Sequence, residues 1–339
     1  MVLGRGHNLG MISVDAFSSL SQQEQINRLQ MLGERALLEW DISAERIEPL
    51  VHAENTTFHV FSPQGEFNLR ISRPGYQSTS NIQSELAFLS ALRQEGFRVP
   101  DPVQDRLVTA SVPEVPEARD CVLFRWMNGE FRRENLSSDE SRMVGAAMAQ
   151  LHEFSARWNP PAGFDRQHNH EWAVQPRTPR PFDDPIEGIA EEDRLLLRNV
   201  HDESRELLRS LRETPETFGL IHADLHVGNL LFDDGQLNII DFDDAGFAFL
   251  YYDFASSLAF QVSRPNFVEV RDALLAGYES VKSLPPHTES MVRPFLRMRL
   301  GGVATWILKR TDNPAFRETA PQWVRSFCDS IRKLDDYSY

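Results

Sequence analysis

The sequence predicts an α+β protein with a small N-terminal lobe that contains a sheet and a larger, mostly helical C-terminal lobe. Two observations lead to this prediction. Up to Trp126 the apolar residues follow the periods of a helix, three strands, a helix and two strands, in that order. After Gly129 the helical period prevails, and a compact strand region at residues 218–240 interrupts it. We therefore assign residues 1–126 to the N-terminal lobe and residues 127–339 to the C-terminal lobe.

Apolar spacing and turn residues predict the elements of the N-terminal lobe. Residues 1–20 show no clear periodicity, whereas apolar residues recur at helical spacing from Ser21 to Trp40. A second helix covers about residues 81–95 and ends at Gly96, a residue type that commonly follows the last turn of a helix. The predicted strands cover residues 46–51, 57–61, 67–71, 103–110 and 121–126.

The C-terminal lobe begins with a clear helix-start signal. In Ser137-Ser138-Asp139-Glu140 a serine precedes a glutamate by three residues, which is the pattern of a capping box. The helix that it opens is predicted to run to about His152. A Pro- and His-rich stretch at residues 160–185 predicts a loop, and a charged helix follows over about residues 187–211. Beyond the strand region, helices are predicted to the C-terminus.

Composition disfavours several classes of protein. The formal net charge is −15, and such a surface repels the phosphate backbone of nucleic acids. No stretch has 18 uninterrupted apolar residues, and the N-terminus has no signal-peptide core. Cys121 and Cys328 match no zinc or redox spacing, which is typical of free thiols in a reducing compartment. We therefore expect a cytoplasmic protein that binds neither nucleic acid nor membranes.

The chemically informative segment has the pattern His222-x-Asp224-x₄-Asn229. Two short apolar runs follow it, separated by an Asp-Gly pair at residues 234–235, and the second run leads to Asp241. An Asp-Gly pair between apolar runs is a strong signal for a β-hairpin. The hairpin would bring Asp241 back towards the loop that holds Asp224 and Asn229.

These residue types are the ones that phosphoryl transfer requires. Its transition state is stabilised mostly by positioning and by charge neutralisation. A carboxylate such as Asp224 can accept or orient the proton of an attacking hydroxyl. A carboxamide and a second carboxylate, here Asn229 and Asp241, offer the hard oxygen ligands that Mg²⁺ prefers. His222 would brace the loop through hydrogen bonds.

Two histidine pairs offer zinc sites as alternatives. His222 and His226 stand four residues apart, but Gly228 and the flanking apolar runs favour a loop over the helix that such a pair needs. His168 and His170 lie in the Pro-rich stretch, and no Cys or acidic cluster completes a site there.

A calcium-binding loop is a third alternative. Asp241, Asp243 and Asp244 resemble its start, and Gly246 stands at the sixth position. Tyr252 stands where such a loop needs a glutamate, so the alternative is weak.

The segments HADLHVGNLLF and IIDFDDAGF, at residues 222–232 and 239–247, resemble the aminoglycoside-phosphotransferase superfamily. The resemblance covers about residues 30–330. Within the superfamily, the sequence is most similar to the branch that holds type II homoserine kinases and bacterial stress-linked Ser/Thr kinases. It implies a bilobal protein-kinase-like fold that uses ATP and Mg²⁺. It also implies that a hydroxyl group of a small molecule accepts the phosphoryl group. Asp224 would then be the catalytic base, with Asn229 and Asp241 on the metal and Asp243 as a further candidate ligand.

The resemblance also assigns nucleotide-binding residues in the N-terminal lobe. Arg70 stands where the family has a phosphate-binding lysine, and Glu85 would be its partner on the following helix. The preceding turn lacks a glycine-rich loop, so that its backbone N–H groups and the hydroxyls of Thr56 and Thr57 would contact the phosphates instead. The segment from Phe124 to Trp126 would bind adenine as the chain passes between the lobes.

Three points stay open at the level of sequence. Only twelve positions separate Asp241 from Asp253, which leaves little room for the activation segment of a protein Ser/Thr kinase and favours a small-molecule acceptor. A nucleotide-binding pseudokinase is a second alternative, which Arg70 and the missing glycines favour and which the complete catalytic motif disfavours. Asp253 itself either caps a helix or braces the catalytic loop.

Overall fold

The computed structural model describes residues 11–53, 55–132, 136–168, 182–310 and 314–337 of the chain. The chain forms two compact units. The first comprises Met1–Asn128 with Pro160–Asp165, and the second comprises Gly129–Asn159 with Arg166–Tyr339.

The first unit contains a five-stranded antiparallel sheet. Its strands are Arg46–His52 (β1), Thr56–Ser62 (β2), Gly65–Ile71 (β3), Pro102–Ala110 (β4) and Arg119–Arg125 (β5). They lie in the order β1-β2-β3-β5-β4, and each neighbouring pair is antiparallel. All five predicted strands are confirmed, with ends within two residues of the predicted ones.

The helices of the first unit are Val14–Ser18 (α1), Gln22–Leu37 (α2) and Thr79–Gln94 (α3). The two longer helices confirm the prediction. The helix α1 was not predicted, because five residues are too few to show a helical period. The side chain of Ser13 accepts a hydrogen bond from the N–H of Ala16 at its start, and Phe17 is buried. Residues 1–10 lie outside the described part of the chain.

The two faces of the first unit's sheet differ in character. Phe58 and Val60 of β2 point to an apolar core that α2 covers, whereas Thr57 and His59 alternate with them and point to the other face. Buried residues of that core include Leu32, Ala36, Leu37, Phe58, Val60, Phe67, Leu69 and Leu123. Because directly paired residues share a face, Arg70 lies on the same face as Thr57.

The second unit is mostly helical. Its helices are Ser138–Arg157 (α4), Glu191–Ser210 (α5), Tyr251–Ala259 (α6), Phe267–Glu279 (α7), Thr288–Leu308 (α8) and Pro314–Lys333 (α9). The predicted capping box at the start of α4 is confirmed, since Ser137 and Glu140 bond each other's backbone N–H groups. The described residues of the predicted loop at 160–185 contain no helix, and residues 169–181 lie outside the described part.

Two glycines let α4 and α7 approach each other closely. A Cβ atom built on Gly145 would lie 2.0 Å from the carbonyl oxygen of Leu274 in α7. A Cβ atom on Gly277 would lie 2.1 Å from the carbonyl oxygen of Arg142 in α4. The two helices therefore pack backbone against backbone at this crossing, where a larger residue would clash.

Two small sheets flank the segments that hold the candidate catalytic residues of the second unit. Glu130–Phe131 (β6), Leu230–Asp233 (β8) and Gln236–Ile239 (β9) form one sheet, and Phe218–Ile221 (β7) pairs with Gly246–Phe249 (β10) in the other. The predicted Asp-Gly hairpin is confirmed, since Asp234 and Gly235 both have positive φ angles between β8 and β9. The four-residue strand β10 was not predicted.

The structure also bears on the cysteines and on membrane-spanning helices. Both cysteines are buried and free. No helix in the described ranges is long and apolar enough to cross a membrane.

Candidate active site

The carboxylate of Asp224 lies in the loop that follows β7. Its Oδ2 accepts a hydrogen bond from Asn229 Nδ2 at 3.0 Å, and His226 Nε2 lies 3.3 Å from the same oxygen. Asn229 Nδ2 also donates to the carbonyl oxygen of Asp224 at 2.9 Å. The loop closes in a short 3₁₀ turn at Val227–Asn229, so the predicted spacing brings carboxylate and carboxamide into direct contact.

Sequence reasoning missed the residue that binds the other oxygen of Asp224. Arg299 of α8 donates to Oδ1, and its other terminal nitrogen lies 3.4 Å from the hydroxyl of Tyr252. The Arg299 side chain is 15% exposed and that of Asp224 is 20% exposed. The signal in the sequence was an arginine on an apolar helix face, because Arg299 follows the buried Val292 and Phe295 at helical spacing.

The ion pair changes the protonation equilibria of both partners. Burial alone would raise the pKa of Asp224, but the charge of Arg299 and the hydrogen bond from His226 hold it well below its usual range. Burial would lower the pKa of Arg299, but Tyr252 and Asp224 raise it above its usual range. Asp224 is therefore ionised at neutral pH and can accept a hydrogen bond from a hydroxyl group.

His222 braces the loop from inside the unit. Its Nδ1 accepts a hydrogen bond from the N–H of Asp224 at 3.2 Å, and its Nε2 lies 3.0 Å from the carbonyl oxygen of Ile240. These partners require a neutral ring that carries its proton on Nε2. Burial lowers the pKa of His222, which the nearby Asp253 and Asp224 only partly offset, and this agrees with a neutral ring. The ring is fully buried, so it supports the loop rather than a substrate.

Asp253 of α6 holds the backbone that precedes Asp224. Its two carboxylate oxygens accept hydrogen bonds from the N–H groups of His222 at 3.1 Å and Ala223 at 2.8 Å. Its Oδ2 also lies 3.1 Å from Nε2 of the buried His152, whose Nδ1 lies 3.1 Å from the hydroxyl of Tyr278. Of the two interpretations of Asp253, the loop brace is therefore correct, and its side chain does not cap the helix.

Two serines of α6 complete the support of the loop. Ser256 Oγ donates to the carbonyl oxygen of Ala223 at 3.1 Å, and Ser257 Oγ donates to that of Leu225 at 2.7 Å. Ala223 has a φ of 66°, in the left-handed region that non-glycine residues rarely adopt. Hydrogen bonds to both its N–H and its carbonyl oxygen stabilise this conformation directly before the partly exposed Asp224.

The oxygen atoms of Asn229 and Asp241 suit a hard divalent cation. Since Asn229 Nδ2 binds Asp224, its Oδ1 is the atom that could bind a metal. The N–H of Ile240 donates to the carbonyl oxygen of Asn229 at 3.0 Å. This hydrogen bond joins the segment that precedes Asp241 to the loop that holds Asn229. Asp241 is exposed and has a φ of 66°.

The described residues contain no group of three or more His, Cys, Asp or Glu side chains that could hold a metal ion by themselves.

Asp243, the further candidate ligand, lies in a segment that a buried arginine holds. Arg166 Nε donates to the carbonyl oxygen of Ala245 at 2.5 Å, and another guanidinium nitrogen donates to the carbonyl oxygens of Asp243 and Phe242. Both Arg166 and Asp243 are buried. Sequence reasoning assigned Arg166 to a loop and missed this role, because its partners lie more than 70 residues away along the chain.

In the first unit, Arg70 of β3 and Glu85 of α3 form a buried ion pair. The two terminal nitrogens of Arg70 donate to the two carboxylate oxygens of Glu85 at 2.8 and 2.6 Å. The residues are only 6% and 1% exposed. Such a two-point pair fixes the plane of the guanidinium, and Arg70 also lies 5.3 Å from the centre of the Phe124 ring.

Thr56 and Thr57 lie in β2 rather than in the preceding turn. The expectation that both hydroxyls lie in one phosphate-binding turn is therefore wrong. Thr56 is buried and its hydroxyl lies 2.7 Å from His52 Nδ1, so a strand contact already occupies it. Thr57 pairs with Arg70 across the strands and shares its face of the sheet.

The predicted adenine segment lies at the end of β5. Phe124 is buried and pairs with Asn68 of β3. Trp126 follows the strand, donates its N–H to the carbonyl oxygen of Glu66 and stacks on the His59 ring at 3.6 Å between ring centres. Phe124 and His59 thus lie on the face of the sheet that carries Arg70.

Within the described residues, the structure forms neither the His222–His226 zinc pair nor the calcium-binding loop after Asp241. Both ring nitrogens of His222 have hydrogen-bond partners, and His226 Nδ1 accepts from the N–H of Gly228 at 2.9 Å, so these histidines do not form a zinc pair. The segment after Asp244 forms β10 and α6 instead of a calcium-binding loop. His168 stacks on the ring of Phe247 at 5.3 Å, and residue 170 lies outside the described residues.

Comparison with known proteins decides the family. The model of the phosphotransferase enzyme family matches residues 46–291, which is more than half of the chain and includes both the ion pair and the catalytic loop. The chain belongs to this family. As a member of the phosphotransferase enzyme family, the protein uses ATP to phosphorylate a hydroxyl group of a small molecule. The predicted fold class is confirmed as well, as an α+β kinase-like fold.

Three similar proteins illustrate the range of the family. A microcompartment-associated aminopropanol kinase of solved structure is 32% identical, with a TM-score of 0.78 and coverage of 91% of this chain and 98% of that one. An amicoumacin kinase solved with AMP-PNP and Ca²⁺ is 19% identical, with a TM-score of 0.71 and coverage of 91% and 96%, and shows a shared fold. Stress response kinase A of Salmonella typhi is 23% identical, with 85% of each chain covered.

Proposed function

We propose that the protein transfers the γ-phosphoryl group of ATP to the hydroxyl of a small amino alcohol in a reaction that requires Mg²⁺. The observation that carries the proposal is the ionised, partly exposed carboxylate of Asp224, which Asn229, His226 and Arg299 hold in one orientation. In this role Asp224 accepts a hydrogen bond from the acceptor hydroxyl and aligns its oxygen for attack. As the bond from the hydroxyl oxygen to phosphorus forms, the bond from phosphorus to the departing ADP breaks, and the proton of the hydroxyl passes to Oδ1 of Asp224.

Asn229 Oδ1 and the carboxylate of Asp241 are the proposed ligands of Mg²⁺. Both are hard oxygen ligands, and a backbone hydrogen bond joins their segments. The bound cation would neutralise charge on the phosphate oxygens of ATP. Asp243 is a weaker candidate, since it is buried and its backbone is bound by Arg166.

Arg70 is the proposed phosphate-binding residue of the first unit, and Glu85 orients it. The pair with Glu85 binds both terminal nitrogens of Arg70 and so fixes the plane of its guanidinium on this face of the sheet. Thr57 is the threonine that would assist, because it shares a face with Arg70, whereas Thr56 points to the core. Phe124 and Trp126 are the proposed adenine contacts.

The proposal of an amino alcohol rests on two further observations. The aminopropanol kinase is similar over nearly its whole length. The formal net charge of this chain is −15, and a negative field attracts a cationic acceptor such as an ammonium-bearing alcohol. The proposed assignment to the branch that holds type II homoserine kinases also fits an acceptor with an amino group and a hydroxyl.

A phosphorylation screen tests the proposal. Purified protein, ATP and Mg²⁺ are incubated with aminopropanol and related amino alcohols, with sugars, with aminoglycosides and without an acceptor, and ADP release is followed. We expect acceptor-dependent turnover with amino alcohols that is lost when EDTA removes the metal. Turnover with sugars or aminoglycosides alone would contradict the acceptor class, and phosphorylation of the protein alone would favour the protein-kinase alternative.

A further inference from the structure

We propose that Arg299 is a positioning residue, which holds the carboxylate of Asp224 so that one acceptor site on Oδ1 remains for the substrate hydroxyl. This inference rests on the proposed role of Asp224. Arg299 contacts no reacting atom in the proposal. It acts by fixing the orientation of the carboxylate.

The hydrogen bonds to Asp224 divide unequally between its oxygens. Oδ2 has two donors, Asn229 Nδ2 at 3.0 Å and His226 Nε2 at 3.3 Å, whereas Oδ1 has Arg299. A carboxylate oxygen offers about two acceptor sites, so the three described donors fill Oδ2 and half of Oδ1. The remaining site on Oδ1 is where the acceptor hydroxyl can donate its proton.

Arg299 binds Asp224 from outside the catalytic loop, unlike the other two donors to its carboxylate. Asn229 and His226 belong to the loop itself, whereas Arg299 belongs to α8. Its guanidinium lies 5.8 Å from the centre of the Tyr252 ring, in the first turn of α6, and donates towards that residue's hydroxyl. The helix α6 also carries Asp253, which holds the backbone before Asp224. The carboxylate is thus fixed both through its backbone and through its oxygens.

General stability does not account for this pair. Burying an ion pair costs desolvation energy that its attraction often fails to recover. The Arg299 Nε atom is buried and has no hydrogen-bond partner among the described residues, which adds to that cost. We expect an arrangement that costs stability where function requires it, here around Asp224, which aligns the acceptor.

The same helix offers a matched control. Arg297 stands two residues before Arg299 and pairs with Glu203 of α5 at 3.0 Å. The side chain of Arg297 is 17% exposed, much like that of Arg299 at 15%, whereas its partner Glu203 is 57% exposed and lies at the surface. Arg297→Met removes the same charge and the same side-chain length from α8 without touching Asp224.

The experiment compares wild type, Arg299→Met, Arg299→Lys and Arg297→Met. ADP release is measured with aminopropanol and with water as the acceptor, and unfolding temperatures are measured in parallel. We expect Arg299→Met to lower kcat about 10- to 100-fold, as a misaligned catalytic group does, while the KM for ATP changes less than about twofold. Arg299→Lys should recover part of kcat, since it restores the charge but not the planar geometry. Arg297→Met should resemble wild type.

Three outcomes would overturn the inference. The first is a kcat for Arg299→Met within about twofold of that for Arg297→Met. The second is a loss of kcat, of ATP affinity and of unfolding temperature together, which a purely structural role would give. The third is a lysine variant no better than the methionine variant. The variant Asp224→Asn distinguishes a failure of the proposed function from a failure of this inference. If Asp224→Asn is as active as wild type, the proposed role of Asp224 fails. If Asp224→Asn is inactive while Arg299→Met is normal, only the inference about Arg299 fails.

Discussion

At the scale of single residues, buried and partly buried arginines hold the functional groups of this molecule in place. Arg299 binds the carboxylate of Asp224, Arg166 binds the backbone carbonyls around Asp243, and Arg70 pairs with Glu85. Arginine suits these positions because its planar guanidinium offers several donors in fixed directions and stays charged when buried. Each pair makes a separate prediction about activity.

The pair of Arg70 and Glu85 is expected to act as one unit in nucleotide binding. Arg70→Ala and Glu85→Ala should each raise the KM for ATP, and Arg70→Lys should be tolerated better than Arg70→Ala because it keeps the charge. The double alanine variant should cost less than the sum of the single variants, since each single change already breaks the pair. If both single variants have the KM of wild type, the residues form a structural pair and the phosphates are bound elsewhere.

Arg166 is expected to set the affinity for the metal. Arg166→Met removes the donors to the carbonyl oxygens of Phe242, Asp243 and Ala245, which frees the segment after Asp241. We expect the Mg²⁺ concentration at half-maximal activity to rise several-fold, and titration of Mg²⁺ at saturating ATP measures it.

Arg194 provides the control for that titration. It is also buried and donates to backbone carbonyl oxygens, those of Phe182 and Asp183, but it lies on α5. Arg194→Met should lower the unfolding free energy by about 1–3 kcal/mol, as lost buried hydrogen bonds do, without changing the Mg²⁺ requirement. An equal shift of the Mg²⁺ requirement in both variants would show that Arg166 affects the metal only through stability.

Sequence patterns predicted the residues of the catalytic motif but not the residues that hold them. Asp224, Asn229 and Asp241 lie within 18 positions of each other, so local spacing and a hairpin signal were sufficient to bring them together. Arg299 lies 75 residues from Asp224, and no local pattern contains a contact of that length. The alternation of strand residues predicts that Thr56 and Thr57 face opposite ways, but only if the start of β2 is known to within one residue.

At the scale of elements, α6 connects packing to chemistry. Its first residues bond the backbone of the catalytic loop through Asp253, and its serines bond two carbonyl oxygens of that loop. The helix then packs against α7 and α8, of which α8 carries Arg299. A change in the packing of these helices is therefore expected to affect Asp224 even without a direct contact.

The close crossing of α4 and α7 is expected to tolerate no side chain larger than hydrogen at Gly145. Gly145→Ala would place a Cβ atom 2.0 Å from the backbone of Leu274, and backbone cannot move aside as the end of a side chain can. We expect a loss of about 1–3 kcal/mol or more of unfolding free energy, as overpacking gives. Chemical denaturation measures it.

Gly302 of α8 provides the opposite case. A Cβ atom built there has no neighbour within 4 Å, so Gly302→Ala should stabilise the helix by roughly 0.5–1 kcal/mol. Equal stabilities of the two alanine variants would contradict the described crossing of α4 and α7.

The elements themselves were mostly predictable, and the exceptions were short. The five strands of the first unit and the longer helices have clear periods and turn residues. The helix α1 has five residues and β10 has four, which is too few to show a period. The strand β10 also lies in an apolar stretch that continues into α6, so composition alone gives no boundary.

At the scale of the whole molecule, family membership and net charge guide the search for the acceptor. The family shows phosphoryl transfer to a small-molecule hydroxyl, and the charge of −15 favours a cationic acceptor over an anionic one. The acceptor was not predictable from sequence because no motif marks its binding residues.

The measurement that tests the central claim most directly is ATP turnover by Asp224→Asn, with ATP binding measured on the same sample by calorimetry in the presence of Mg²⁺. Asparagine has nearly the same shape but cannot accept a proton, and it lacks the charge that binds Arg299. We predict that turnover falls by about 10²–10⁴-fold, the usual cost of losing a positioned base, while the Kd for ATP stays within a few-fold of wild type. Near-normal turnover, or a loss of ATP binding that matches the loss of turnover, would contradict the role of Asp224.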